Sequence, residues 1–473
     1  MSEQGVLLSC RPHEAARRNP FAWRWLAYGI IIALYQLGWS GVFPLDDAYI
    51  TLHNARALIA GNDPVYGVHP LIGATSLVDL MLVAVLGLVL PLTIASLVVG
   101  ACSTAAYAFA LDVAVRRAGA SKWQTASLVL SGLTIGTVWT NLNNGLETGL
   151  AMAAVAGMLA LRDDKRWLPV LAGVSPFIRP ELGVLAAILV LRLSAAQEGY
   201  HKVRLPLVAV VAAMPFLGWL WFCTGYVLPT TVGAKLAFFA EYRWTGQQRA
   251  GALVWAIAVC GIAPALFGLA SVTKRGWAEA LFAGGIIATA IALTPGALGW
   301  NYGRYLMPVV PALLVGVAML DQGKVRAIAI AIIALWSVAW SPYNYRVLQQ
   351  DRKYTLTQLA WLESLGARLP PGTHVLIHDA GMIAWVAPHL RLYDLVGLKT
   401  PQSIAFHRRF TRRSCGWSAA LDAMAREYRT EYLVDLQTEY WRCIADDLRA
   451  AGWKLDPQLP ADARYQLYKL TPP

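Results

Sequence analysis

The sequence predicts an all-α polytopic membrane domain over residues 1–342, followed by a small α/β soluble domain over 343–473. Three observations carry this. The chain of 473 residues is 57% hydrophobic and only 14% charged, and its apolar runs recur at about 20 residues, the length that spans a hydrocarbon core. Its net charge of +12 falls in short basic clusters between those runs, as positive-inside orientation produces. After Ser341 charges become frequent and apolar runs shorten, leaving about 130 residues, enough for a separate core.

Taken in order, the chain opens with a polar, basic tail (Arg11, Arg17, Arg18, Arg24) before the first run, Trp25 to Phe43. No small-residue cleavage site follows that run, so it is expected to be a retained anchor with the tail cytoplasmic. A first outer loop, 44–91, then contains Pro44-Leu45-Asp46-Asp47-Ala48-Tyr49-Ile50-Thr51, a helix expected over Ala48 to Ala60 with Asp46 or Asp47 as its cap, and the turn signal Gly61-Asn62-Asp63-Pro64. Leu77 to Leu90 is about 14 residues, is stopped by Pro91 and carries Asp79, so it reads as interfacial or re-entrant rather than spanning. With that run uncrossed, Arg116/Arg117, Arg162/Lys165/Arg166, Arg192/Lys202/Arg204, Lys274/Arg275 and Lys324/Arg326 all fall inside. The intervening spans lie near 93–115, 123–141, 146–161, 168–178, 182–195, 205–224, 250–271, 277–295, 304–320 and 325–341. About 11 spans result, with the amino terminus in and the carboxyl-terminal domain extracytoplasmic. In that domain Val375-Leu376-Ile377 and Tyr432-Leu433-Val434 read as buried strands, Tyr465 to Leu470 as an alternating strand, and Leu356 to Leu365 and Ser418 to Tyr428 as helices.

Several function classes are disfavoured. Basic residues distributed between apolar runs do not make a nucleic-acid surface. C-x-x-C and H-E-x-x-H spacings and a Gly-rich phosphate loop are absent from the sequence, so neither a nucleotide nor a Cys/His zinc site is expected to carry the chemistry. Cys102, Cys223 and Cys260 lie in apolar runs and Cys10 in the tail; Cys415 and Cys443 share the exported domain, where an oxidising compartment permits a disulfide. The 19 Trp and 19 Tyr read mostly as interfacial anchors rather than a sugar platform.

The predicted sidedness gathers Asp46, Asp47, His53, Arg56, His69, Asn143, Asn144, Glu147, Arg179, Glu181, Lys235, Arg243, Asn301 and Arg304 on the outer face. One Asp would suffice as a helix cap, so the adjacent pair Asp46/Asp47 is the candidate for chemistry. In Arg179-Pro180-Glu181 the charges are two apart and do not share a helix face, which disfavours a local ion pair and favours a site role. Glu147 reads equally as a first-turn helix charge or a site residue, and Lys235 as a snorkelling or a site residue.

Taken together these residues resemble the membrane-embedded glycosyltransferases of the GT-C superfamily that use polyprenyl-phosphate sugars, in particular the mycobacterial terminal arabinofuranosyltransferase and the bacterial pilin arabinosyltransferase. The resemblance rests on Asp46-Asp47-Ala48-Tyr49-Ile50, Gly73-Ala74-Thr75-Ser76, Gly145-Leu146-Glu147-Thr148, Arg179-Pro180-Glu181, Pro229 to Lys235, Arg304-Tyr305-Leu306 and Asp394-Leu395-Val396-Gly397-Leu398. Ala74, Leu182 and Thr230 depart from the family pattern, which often has an aromatic, Gly and Asn there.

The resemblance implies a GT-C-like fold in the cell membrane, a lipid-phosphate-linked sugar donor with arabinofuranose the leading sugar, and an extracytoplasmic glycan, lipid or protein acceptor. Asp47, or failing that Asp46, fits the group that takes the acceptor proton. Arg304, Arg179 and Lys235, with Tyr305 and Glu181, fit the donor phosphate and sugar. His53, Arg56, His69, Asn144 and Glu147 are expected to line the acceptor side. No cofactor is required; a divalent cation held by Asp46 or Asp47 with Glu147 is allowed by their oxygen ligands. Inversion through a base and retention through a nucleophilic carboxylate both stay open. The rival of another class is a transporter or flippase for a lipid-linked sugar, which midplane charges and repeat symmetry would favour.

Overall fold

Helices follow the apolar runs in the computed structural model, which describes residues 22–36, 39, 41–271, 276–438, 440–459 and 464–473. The tail residues Arg11, Arg17 and Arg18, Cys10, and the Lys274/Arg275 cluster lie outside the described residues. Among the described residues, Leu92–Arg117, Lys202–Thr224 and Gly323–Gly366 are long and apolar enough to cross a membrane. Shorter apolar helices, including Thr148–Ala160, Leu182–Ala195, Trp277–Leu293 and Val309–Ala318, pack among them. The first run forms Ala22–Gln36, and Leu77–Gly87 is a separate 11-residue helix packed against Asp46–Ala60 and Leu92–Arg117.

Two expected spans are broken, and by one contact. The run 123–141 divides into Lys122–Thr134 and Val138–Leu142, and the run 250–271 divides into Gly246–Cys260 and Ala263–Ser271, bent by 109°. The breaks touch: Gly136 and Gly261 both have left-handed backbone, and a Cβ on Gly136 would lie 1.8 Å from the Cys260 carbonyl oxygen. Only glycine permits that approach. The freed carbonyls are met by the long helix Gly323–Gly366, through Trp336 to Gly261 at 2.6 Å and Asn344 to Gly136, as irregular backbone buried in an apolar bundle requires.

The helix expected to start at Ala48 begins at Asp46, with Leu45 at the N-cap and no side-chain cap bond. Neither carboxylate caps it, contrary to the sequence reading. Leu356 to Leu365 is the last part of Gly323–Gly366 and not a helix of its own; apolar residues kept at helical spacing carry that helix across the 342/343 boundary.

The carboxyl-terminal domain is a five-stranded sheet of β1 (His374–Ile377), β2 (Arg391–Asp394), β3 (Tyr432–Leu436), β4 (Lys454–Pro457) and β5 (Tyr465–Thr471), in the order β2-β1-β3-β5-β4. β1 pairs parallel with β2 and β3, and β5 antiparallel with β3 and β4. Helices Met382–Val386, Gln402–Phe410 and Ser418–Glu427 make the parallel crossovers. Leu376, Leu392 and Leu433 form the buried centre. β2 and β4 escaped the sequence reading because their four residues, RLYD and KLDP, mix charged with apolar side chains and lack the continuous apolar run that marks β1. Cys415 is bridged to Cys443.

The helix Asp46–Ala60 docks this domain. Asp46 accepts from the backbone amides of Met382 at 2.6 Å and Gly381 at 3.0 Å, while Arg56 donates to the carbonyls of Ala384 at 2.6 Å and Trp385 at 3.0 Å. This one helix thus satisfies orphan groups at both ends of Met382–Val386. Tyr66 adds a hydroxyl bond to the Ala380 carbonyl at 2.5 Å.

Candidate active site

Asp47 stands one residue into the helix Asp46–Ala60, where the positive end of the dipole favours a carboxylate. Its Oδ2 accepts from Arg304 at 2.8 Å and from the Asn301 amide at 2.9 Å. Asn301, Tyr302 and Gly303 are all left-handed (φ +49°, +61° and +69°), so the chain reverses sharply ahead of Val309–Ala318 and presents both donors to Asp47. Non-glycine residues hold that conformation at a cost, and it is fixed by Thr137 and Asn141, which donate to the Tyr302 carbonyl at 2.6 and 2.9 Å. Burial alone would raise the Asp47 carboxyl, but Arg304, then Lys235 and Asn301, outweigh it and hold it below the usual range. Burial, and next the charge of Asp379, push its neighbour Asp46 well above that range. The two adjacent acids are therefore driven apart, with Asp47 the ionised one.

Tyr305 gathers three cations. Lys235 donates to its hydroxyl at 2.8 Å, Arg304 donates at 3.2 Å, and the Arg179 guanidinium lies 4.9 Å from its ring centroid. Arg179 is 2% exposed and pairs with Glu147 at 2.9 Å and with Glu181, which is how a buried guanidinium is kept charged. The Arg179–Glu181 pair corrects the sequence reading: residues 179–181 lie in a turn between Ser175–Phe177 and Leu182–Ala195, so helix-face spacing does not govern them. Glu147 stands at the N-cap of Thr148–Ala160 and is at the same time a partner of Arg179.

Three cavities meet here. A polar one of about 490 Å³ lies between Asp47, Asn54, Ser76, Glu147, Lys235 and Arg304. A groove of about 1060 Å³ starts at Arg179, Lys235 and Tyr305 and runs along apolar Val184, Val232, Leu236, Ile286 and Leu293. A third, of about 1040 Å³, opens on the other side of Asp47 against Trp300, His378 and Trp441. Lys235 borders all three, and Asp47 the first and third.

Other predicted residues serve elsewhere. His53 pairs with Asp63 at 3.0 Å, Arg56 holds the soluble domain, and Asn144 is fully buried, shaping its own turn through the Leu146 amide at 3.0 Å. His69 lines a separate cavity with Cys223 and Pro401. None of these four borders the cavities at Asp47. Asp46 does, at the third cavity, while its two oxygens are taken by backbone amides.

Of the carboxylates weighed for a divalent cation, Asp47 pairs with Arg304, Glu147 with Arg179, and Asp46 accepts from the Gly381 and Met382 amides.

The sequence reading missed what the carboxyl-terminal domain contributes, namely His378, Asp379, Tyr440 and Trp441. Trp300 and Trp441 line the third cavity, whereas Trp123 and Trp167 are 75% and 52% exposed. The one available signal was the motif Asp394 to Leu398, whose Val396 and Leu398 reach the same cavity.

A family model described as a domain of unknown function (DUF8728) matches residues 344–468. No curated protein matches the chain. Among solved structures, ArnT from Cupriavidus metallidurans bound to undecaprenyl phosphate is similar over 95% of this chain and 98% of that one, with 12% identity and a TM-score of 0.56. The same protein in the apo state gives 95% and 97% coverage, 12% identity and a TM-score of 0.55. The apo oligosaccharyltransferase of Archaeoglobus fulgidus is 14% identical over 97% of this chain and 75% of that one, with a TM-score of 0.47. The likeness to ArnT shows a shared fold, in which a helical domain is followed by a small sheet domain.

Proposed function

We propose that the protein is an integral-membrane glycosyltransferase that moves a sugar from a polyprenyl-phosphate donor to an extracytoplasmic acceptor, with arabinofuranose the leading sugar. The observation that carries this is the position of Asp47. An ionised carboxylate stands where a polar cavity meets the head of an apolar groove, and that head is built from Arg179, Lys235 and Tyr305. A polyprenyl phosphate needs both halves of such a groove, cations for its phosphate and an apolar wall for its chain. The fold it shares with a protein solved with undecaprenyl phosphate supports the same reading.

In the proposed step the donor phosphate lies on Arg179, Lys235 and Arg304, and its tail along Val232 and Leu236. An acceptor hydroxyl attacks the anomeric carbon as its proton passes to Asp47, and the bond from that carbon to the phosphate oxygen breaks. The electron pair leaves with the polyprenyl phosphate, whose new charge the cations stabilise. Asp46 positions Asp47 by fixing the same helix turn to the soluble domain.

The test is incubation of the protein in nanodiscs with a panel of polyprenyl-phosphate sugars, scoring release of free polyprenyl phosphate. Acceptor-dependent release is expected. Movement of the lipid-linked sugar between leaflets with no release would replace the transferase with a flippase.

A further inference from the structure

We propose that the carboxyl-terminal domain supplies an acceptor subsite for a carbohydrate chain, in which His378 hydrogen-bonds an acceptor hydroxyl beside Asp47. The inference rests on the transferase reading and names its acceptor class.

The sheet topology places the subsite. The chain runs from β1 to β2 on one side and then crosses to β3 on the other, so the crevice at the carboxyl ends of β1 and β3 is a switch point, where open α/β sheets bind ligands. His378 and Asp379 follow β1 directly, and Leu436 ends β3. In this molecule that crevice faces the membrane domain and opens into the cavity of about 1040 Å³ that also holds Asp47.

His378 is the unexplained group there. It is 4% exposed, yet neither ring nitrogen has a hydrogen-bond partner among the described residues. The nearest charge is the Asp379 carboxylate at 3.5 Å, itself accepting from the Tyr465 hydroxyl at 2.6 Å. The imidazole is stacked on Trp441 at 4.3 Å between centroids and so cannot swing away to find water. Buried polar groups are ordinarily satisfied, and one held beside a cavity is satisfied by what enters it.

The walls select a sugar. Trp300, Tyr440 and Trp441 offer flat apolar faces, while Asn301, His378 and Asp379 offer polar edges, which matches a ring with C–H faces and a hydroxylated rim. A lipid acceptor would need a continuous apolar wall instead. Asp46, Asn301 and Asp379 also border a further cavity of about 970 Å³, lined by Gln350, Asp351, Tyr354, Gln358 and Arg464. The polar path therefore continues away from Asp47, as a chain of sugars requires and a single hydroxylated headgroup does not.

The experiment is calorimetric titration of the nanodisc protein with pentofuranose and hexopyranose oligosaccharides of increasing length, a short-chain phospholipid and a Ser/Thr-containing peptide. An oligosaccharide should bind, with affinity rising as residues are added. His378→Ala should weaken that binding about tenfold, His378→Gln should recover part of it, and both should bind polyprenyl phosphate as the wild type does. In turnover the loss should appear in the acceptor KM more than in kcat. Failure of every oligosaccharide to bind, binding of the lipid or peptide instead, or wild-type affinity in a folded His378→Ala protein would each overturn the subsite. Oligosaccharide binding that depends on His378 without transfer from any donor would leave the subsite standing and remove the transferase reading.

Discussion

The Asp47 carboxylate and the Arg304 guanidinium face each other at 2.8 Å, so the proposed proton acceptor and one proposed phosphate ligand compensate each other. The same cations, Arg304 and then Lys235, overcome burial to hold Asp47 below the usual carboxylate range. A phosphate bound by Arg304 and Lys235 competes for those charges and returns basicity to Asp47, which ties proton acceptance to donor occupancy.

Asp47→Asn keeps the shape and the Asn301 contact but removes the base. Transfer should fall by about 10²–10⁴-fold with donor affinity little changed, the range that general-base catalysis contributes. In the complementary variant Arg304→Gln, the acid limb of the kcat/KM profile should move to higher pH because the chief charge depressing Asp47 is gone. Release assays over a pH series read both, and wild-type rates for folded Asp47→Asn protein would falsify the carboxylate mechanism.

Asp46 is predicted to act through position. Asp46→Ala removes the acceptor for two amides, and Gly381→Ala places a Cβ 2.1 Å from the Asp46 carbonyl oxygen. Both should loosen the soluble domain and expose the junction to limited proteolysis as transfer falls. Asp47→Asn should leave the proteolysis pattern unchanged; if all three variants are cleaved alike, the division of labour between the two acids is wrong.

The helical membrane domain was legible because burial in a bilayer writes itself as long apolar runs, and the electrostatic centre because Asp47, Arg179 and Arg304 are costly charges at run ends. What escaped depends on contacts between distant segments. Gly136 and Gly261 break two runs only because their backbones touch, and composition at 123–141 gives no sign of it. Arg179 and Glu181 pair across a turn ahead of Leu182–Ala195, where helical spacing does not decide which side chains meet. His378 was invisible as a single histidine in a soluble domain until docking by Asp46 and Arg56 brought β1 to the cavity.

Sidedness is tested by chemistry at an exposed residue. Arg412 is exposed in the carboxyl-terminal domain, and Arg412→Cys should react in intact cells with a membrane-impermeant maleimide, as the parity of the basic loops requires. Reaction only after permeabilisation would put the domain, and the cavities it walls, on the cytoplasmic side.

The Cys415–Cys443 bridge spans 28 positions and ties the chain ahead of Ser418–Glu427 to the start of Cys443–Ala450. Cys415→Ser with Cys443→Ser should lower stability by roughly 3 kcal/mol on the chain-entropy estimate. Quantitative thiol labelling of both positions in unreduced, denatured protein would exclude the bridge.

Asp63 joins the segment after Asp46–Ala60 to the carboxyl-terminal domain through Lys399, whose ammonium lies 3.0 Å away and also donates to Asn54 at 2.6 Å and to the Ile72 carbonyl at 2.9 Å. Both side chains of the pair are fully buried, so removing Asp63 leaves the Lys399 ammonium without its carboxylate and should cost about 3–5 kcal/mol, whereas removing Lys399 leaves Asp63 with His53 as its partner. Lys399→Met and Asp63→Asn should each destabilise the docked state, and the double variant should lose less than the sum by about 0.5–3 kcal/mol. Burial raises the Asp63 carboxyl, but His53 and then Lys399 outweigh it and hold it below the usual range. A carboxylate depressed in the fold contributes stability above its unfolded value and loses it as pH falls through the folded one. Acid unfolding of Lys399→Met should therefore begin at higher pH than in the wild type. Thermal melts of the four proteins across a pH series measure both effects, and strictly additive losses with one common acid midpoint would show that the pair does not hold the domains together.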